Sequence, residues 1–295
     1  MDNHQQTILV TGANGQLGSE LRALSASYLQ YKFLFVTKDE LPIDDVEKVT
    51  NYFNNYPIDH CINCAAYTAV DKAESEMEKA FLINADAVGN LASVCKLYNT
   101  KFIHISTDYV FDGTAIEPIK EDQKVNPIGV YGASKLKGEE LAIANNPDTI
   151  IIRTSWVYSS FGNNFVKTML RLMSTKESIN VVSDQHGCPT YAADLAAAIM
   201  SIIIAKRPII NYPLSIFNYS NAGMITWYDF AVAIKELTGS KCIVNPIPTA
   251  QYPTPAKRPH YSVLDTTKIR QTFGIIIPEW KLSLEKCLSI LAAKA

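Results

Sequence analysis

The chain has 295 residues, of which 47% are hydrophobic and 19% charged, with a formal net charge of −2. That length suffices for one large domain or two unequal ones around a substantial core. The near-neutral balance leaves no basic surface for nucleic acid or for a membrane, so neither is expected as a partner.

The opening residues, Met1 to Gln6, are polar and predict no secretory leader. With six cysteines in the chain, this favours reduced thiols and a cytoplasmic protein. Thr7-Ile-Leu-Val-Thr11 then predicts a short strand ending in Gly12, Gly15 and Gly18, with helical apolar spacing (Leu17, Leu21, Leu24) from Gln16 to about Leu29. A strand, a glycine turn and a helix in that order make a pyrophosphate cradle. One glycine allows the tight turn, another lets the backbone approach the phosphates, and the helix N-terminus offers unpaired N–H groups. A second strand, Phe33-Leu-Phe-Val-Thr37, ends at Lys38 and Asp39, where an adenine ribose belongs. Asp39 suits a ribose hydroxyl and Lys38 a 2′-phosphate, so the two point to different cofactors.

A helix from Val46 to Asn55 leads to a buried strand from His60 to Ala66, and its end, Ala65-Ala66-Tyr67-Thr68, is small enough to let a cofactor pass. Cys61 and Cys64 lie three apart on that strand and so on opposite faces, the wrong geometry for a shared metal. No metal ligands are assigned. A charged stretch, Val70-Asp-Lys-Ala-Glu74, and a helix from about Asn84 to Tyr98 follow. The strand Lys101-Phe-Ile-His-Ile-Ser106 delivers Thr107 and Asp108 at its C-terminal end, where open α/β sheets bind ligands.

Asn126-Pro127 suits a helix start. That helix carries Tyr131 and Lys135, four residues apart and therefore on one face. A free phenol has a pKa of about 10 and is a weak acid–base catalyst at neutrality. A nearby ammonium favours the phenolate and would bring Tyr131 into working range. A fifth strand, Thr149 to Arg153, leads into Thr154-Ser-Trp156-Val-Tyr158. Five strand–helix alternations in about 155 residues predict an α/β fold with a Rossmann-type, doubly wound parallel sheet.

Near Gly162 the rhythm changes. The apolar run Leu195 to Ala205 reaches roughly 17 Å as a helix, too short for a bilayer. Beyond about Leu214 the chain reads as irregular, aromatic and proline-rich. We therefore expect a dinucleotide-binding domain over residues 1–160. Residues 161–295 should form a smaller, mainly substrate-binding portion, with chain returning to the sheet. On a shared rim, Thr107 and Tyr131 would hydrogen-bond a carbonyl oxygen while Lys135 holds a nicotinamide ribose. The chemistry suggested is reversible reduction of a ketone.

The glycine spacing and the Tyr131-x-x-x-Lys135 pair resemble the short-chain dehydrogenase/reductase superfamily. More particular are Ala69-Val-Asp-Lys-Ala-Glu74, Ser106-Thr-Asp-Tyr-Val-Phe-Asp-Gly113, Arg153-Thr-Ser-Trp-Val-Tyr158 and Tyr252-Pro-Thr-Pro-Ala-x-Arg-Pro259. Together they resemble the dTDP-4-dehydrorhamnose reductase family over nearly the whole chain. The resemblance implies NAD(P)H-dependent reduction of the 4-keto group of dTDP-4-dehydro-L-rhamnose to dTDP-L-rhamnose. It implies cofactor contacts at Gly12, Gly15, Gln16, Leu17, Gly18, Ala66, Tyr67 and Thr68. Thr107 and Asp108 would meet the sugar and Trp156 would pack on it. The substrate diphosphate needs a cation, and the fork of Arg258 suits phosphate oxygens.

Two departures from the family pattern stand out. Pro42 replaces the usual acid in Leu41-Pro42-Ile43, and Thr37-Lys38 replaces an acid often found there. Both lean toward NADPH, with NADH possible. A monomer or homodimer is expected. One rival reading is a non-catalytic subunit resembling the regulatory subunit of methionine adenosyltransferase, against which Thr107 and Thr154-Ser-Trp156 stand. A second is a sister sugar-nucleotide 4-epimerase or 4,6-dehydratase. Tyr109 stands where dehydratases typically carry Glu.

Overall fold

The computed structural model describes residues 5–205 and 215–294. Residues 1–4, on which the expectation of no leader partly rests, and Leu214 lie outside the described residues. The β-branched runs form strands β1 (Thr7–Thr11), β2 (Lys32–Val36), β3 (His60–Asn63), β4 (Lys101–Thr107) and β5 (Ile150–Thr154). A sixth strand, Ile216–Tyr219, completes a parallel sheet in the order Ile216–Tyr219, β5, β4, β3, β1, β2. The doubly wound α/β expectation is met.

The sixth strand lies in chain read as irregular beyond about Leu214, although chain returning to the sheet was expected there. It is four residues, Ile-Phe-Asn-Tyr, all buried. A fully buried strand that short shows no alternation to read. Its register sets Ile216 opposite Ile151. Asn218 anchors it, donating its backbone N–H to Glu121 Oε1 (2.9 Å) and its side-chain amide to Ile119 O (2.8 Å).

From β1 the chain winds to β2 on one side and to β3 on the other. The reversal therefore lies between β1 and β3, where doubly wound sheets bind ligands. Here the backbones nearly touch: a Cβ on Gly12 would lie 2.6 Å from Ala65 N, and Gly12 has φ +64°. Only glycine meets both demands.

Each face of the sheet buries its own core. Ile8, Val10, Leu17 and Leu21 pack with Leu195, Ile199 and Ile203 of the helix Ala192–Ile204. That apolar run is thus a core helix, and among the described residues no helix is long and apolar enough to cross a membrane. On the other face, Leu9 and Cys61 pack with Val49, Phe53, Leu91 and Cys95, whereas Cys64 packs against the first core. The described residues contain no cluster of three or more His, Cys, Asp or Glu able to hold a metal ion. A third core, with Tyr158, Val166, Phe230, Ile234 and Leu284, joins the helices Phe165–Thr175, Trp227–Thr238 and Trp280–Ala293.

Two boundaries shift for local reasons. The first helix is Gln16–Ser25 and stops short of Leu29, because the chain tightens into turns (Ser27 N–H to Leu24 O, Tyr28 N–H to Ser25 O). Strand β3 stops at Asn63, whose side chain accepts the Ala65 N–H (3.2 Å) and so ends the ladder.

Candidate active site

The glycine turn after β1 opens the helix Gln16–Ser25. Its cap residue, Gly15, is exposed, contributes no side-chain cap, and is followed by no acid in the first turn. The first N–H groups and the positive end of the helix dipole therefore face outward for an anion. Leu17 and Gly18 are buried: Leu17 packs in the core, and a Cβ on Gly18 would lie 2.6 Å from Gly12 O. The Gln16 side chain is engaged, donating to Val157 O (3.3 Å) and accepting from Asn164 (2.9 Å). Lys38 and Asp39 are exposed after β2, where the neighbouring Glu40 carboxylate accepts the Thr37 N–H (2.8 Å).

Ala66, Tyr67 and Thr68 form a strap beyond β3. Asn84 holds it: its side chain accepts the Tyr67 N–H (2.8 Å), donates to Tyr67 O (3.0 Å), and donates to the Ser134 hydroxyl (3.0 Å). Asn84 sits in a π-turn, Leu82–Asp86, which widens the helix enough to aim it inward. Sequence reasoning treated Asn84 as a helix start. Its partners lie 17 and 50 positions away, so no local pattern reveals it.

The helix Val130–Asn145 carries Tyr131 and Lys135. Glu74 accepts the Val130 N–H (2.9 Å), setting a carboxylate at the helix N-terminus. A Cβ on Gly132 would overlap Tyr109 O, and one on Gly138 would overlap Asn84 O. One turn after Lys135, buried Glu139 takes a two-pronged contact from Arg153 of β5 (2.9 and 2.6 Å) and the Ser106 hydroxyl of β4. The helix is thereby clamped to two strands.

Thr107, at the end of β4, accepts the Tyr109 N–H (3.3 Å) and donates to Asp108 Oδ1 (3.0 Å), and its hydroxyl stands beside the Tyr131 phenol. Thr107, Asp108 and Tyr131 are thus brought together. Burial raises the Tyr131 phenol well above the ordinary value, against the neighbouring Thr107 hydroxyl. The expectation that Lys135 would draw it down is corrected. Lys135 Nζ is turned inward to Ile105 O (2.7 Å) and His104 Nε2 (3.2 Å), and burial lowers its own pKa to about 8. Burial also pushes Asp108 up to about 6 against the hydroxyls of Ser262 and Thr107, and its Oδ2 has no hydrogen-bond partner.

Arg258 reaches this rim from the C-terminal portion. It pairs with Asp71 (2.8 Å) and donates to the Tyr109 hydroxyl (3.2 Å), and the Tyr109 ring meets Tyr131 edge-on at 5.5 Å. Trp156 has a left-handed backbone, φ +47°. Its indole stacks on Trp227 at 3.6 Å and lies so close to Gly187 that a Cβ there would strike it. One indole face is thus covered from within the protein.

The RmlD substrate binding domain family matches residues 6–293 of this chain. The dTDP-4-dehydrorhamnose reductase of Aggregatibacter actinomycetemcomitans is 41% identical over 286 residues, covering 94% of this chain and 97% of the relative. The chain belongs to the dTDP-4-dehydrorhamnose reductase family. The crystal structure of a family member from Clostridium acetobutylicum superposes with a TM-score of 0.91 at 43% identity, covering 97% of this chain and 100% of that one. The Bacillus anthracis family member, solved in complex with NADP, gives a TM-score of 0.92 at 36% identity, covering 97% and 99%.

Within this family frame, three side chains escaped sequence reasoning: Asn84, His104 and Glu139. His104 and Glu139 are fully buried polar groups inside otherwise ordinary elements. The available signal was a histidine at the centre of an apolar strand and an acid one turn beyond the lysine.

Proposed function

We propose that this chain catalyses the NADPH-dependent reduction of the 4-keto group of dTDP-4-dehydro-L-rhamnose to dTDP-L-rhamnose. One observation carries the reading: a Thr107–Tyr131 hydroxyl pair at the rim of a chain that matches reductases over nearly its full length. The uncapped N-terminus at Gly15 fits a dinucleotide pyrophosphate. Gly12, Gly15, Gln16, Leu17 and Gly18 line that turn, the strap Ala66, Tyr67 and Thr68, pinned by Asn84, forms the other side, and Lys38 pairs with the 2′-phosphate. NADPH, when bound, supplies the hydride.

The protein's own groups do the rest. Tyr131 and Thr107, whose hydroxyl turns from Asp108 to do so, donate hydrogen bonds to the 4-keto oxygen and orient it. Tyr131 Oη then gives its proton to that oxygen as the alcohol forms. Its raised pKa keeps the phenol protonated and so suits the reduction direction. Lys135 offers an N–H to the nicotinamide ribose. The unpartnered Asp108 Oδ2 accepts a sugar hydroxyl. Arg258 takes the diphosphate, exchanging or sharing its Asp71 partner, and Trp156 offers the exposed part of its indole to the deoxy sugar.

A cytoplasmic site of action and a monomeric or homodimeric state belong to the same proposal; light scattering on the purified chain checks the second. The deciding assay follows NADPH oxidation with freshly generated dTDP-4-dehydro-L-rhamnose. Stoichiometric oxidation is expected. Turnover of the sugar without net oxidation would indicate an epimerase or dehydratase, and no turnover a regulatory subunit.

A further inference from the structure

A chain of buried polar groups crosses the centre of the sheet and ends on the lysine. Thr11 donates to Asn63 Oδ1 (2.6 Å), Asn63 Nδ2 meets His104 Nδ1 (3.1 Å), and His104 Nε2 meets Lys135 Nζ (3.2 Å). Thr11, Asn63 and His104 are fully buried and Lys135 nearly so. Such a row inside strands β1, β3 and β4 has no part in the core and is costly unless every member is satisfied.

The direction of each bond can be deduced. The Ala65 N–H, which can only donate, points at Asn63 Oδ1 (3.2 Å), so the Asn63 amide nitrogen faces His104. An amide nitrogen also only donates, so His104 Nδ1 carries the lone pair. A neutral imidazole then bears its proton on Nε2. Burial disfavours the charged ring, so the imidazole is held neutral. His104 Nε2–H thus points at Lys135 Nζ. An ammonium has no lone pair to receive it, whereas a neutral amine has one and still keeps an N–H for Ile105 O (2.7 Å).

We propose that His104 is a positioning residue that donates its Nε2–H to Lys135 and parks the lysine as a neutral amine, which protonation releases toward the Tyr131 rim. The proposal deepens the reductase reading and rests on it for the role of Lys135. Protonation removes the lone pair, sets two N–H groups against each other, and breaks the contact. The groups facing Lys135 allow this. Glu139, on its own helix, favours the charge but is committed to Arg153 and Ser106. Cys64, beyond β3, also favours it only as a thiolate, and burial pushes that thiol up. Tyr131 is held neutral by burial. Desolvation therefore dominates and lowers Lys135 to about 8.

The test uses the full chain without ligands. The Lys135 side chain is followed by NMR in 13C-lysine-labelled protein, assigned through Lys135→Arg. His104→Gln places a carbonyl oxygen that can accept from an ammonium. Asn63→Asp sets a carboxylate against Nδ1, forcing the proton there and leaving Nε2 as an acceptor. Both variants should raise the lysine titration by roughly one pH unit or more. The alkaline limb of kcat/KM should move with it. An unchanged lysine midpoint in the folded variants overturns the proposal, whatever their activity. A raised midpoint in a protein that never oxidises NADPH supports the His104 contact and overturns only the reductase reading.

Discussion

Tyr131 and Asp108 sit at one rim, and burial drives both toward their neutral forms. For Tyr131 the neutral form is the one that the proposed proton transfer needs. Tyr131→Phe should cut turnover roughly 10²–10⁴-fold, as loss of a general acid does. NADPH binding, read by fluorescence quenching, should stay intact; wild-type turnover would remove Tyr131 from the reaction. For Asp108 the ionised form is the strained one. Its folded pKa, about 6, lies above the ordinary 3.8, so it stabilises the fold only where it is protonated. That stability is present below about pH 4 and lost as pH rises through about 6. Asp108→Asn, neutral throughout, should therefore be more stable than the natural chain at pH 7, by up to about 3 kcal/mol. In urea melts the gain should vanish by pH 4. A gain independent of pH would mean that the carboxyl is not the cause.

The helix Val130–Asn145 holds the proposed catalytic pair, Tyr131 and Lys135, because its neighbours leave it no freedom. Gly132 and Gly138 lie against the carbonyls of Tyr109 and Asn84, and Glu139 is tied to Arg153 and Ser106. Gly138→Ala adds a methyl where backbone already stands and should cost about 1–3 kcal/mol by overpacking. Because the displaced helix carries Tyr131 and Lys135, kcat should fall more than stability alone accounts for. Full kcat in a destabilised variant would show that the helix can shift without moving the pair. This element also marks the limit of sequence reading. The Tyr131–Lys135 spacing and the glycine turn are local patterns, legible because their chemistry lies within a few residues. Asn84, His104 and Glu139 act through partners on other elements, at separations of 14 to 50 positions. The inward turn of Lys135 was likewise illegible, since it depends on how deep the helix sits.

At the scale of the molecule, the sheet draws on both halves of the sequence. Its sixth strand, Ile216–Tyr219, and the helix Ala192–Ile204 that covers one face come from beyond the point where the five-strand pattern ends. The sequence predicts a helix from Asp194 and chain returning to the sheet, but not the strand itself, because four buried residues carry no period. Expressed alone, residues 1–160 should therefore lack a rigid core, binding a hydrophobic dye and showing weak near-ultraviolet circular dichroism. A cooperative thermal transition in that fragment would contradict this.

The same strand has a consequence for how the chain is made. About 65 residues separate the end of β5 from its last neighbour, which at about 5–20 residues per second takes roughly 3–13 s to synthesise. Throughout that interval the nascent chain offers an open strand edge, able to pair with the same edge on an adjacent ribosome's product. Slow codons placed between residues 155 and 215 would lengthen the exposure, lowering the yield of folded protein while leaving every finished molecule unchanged.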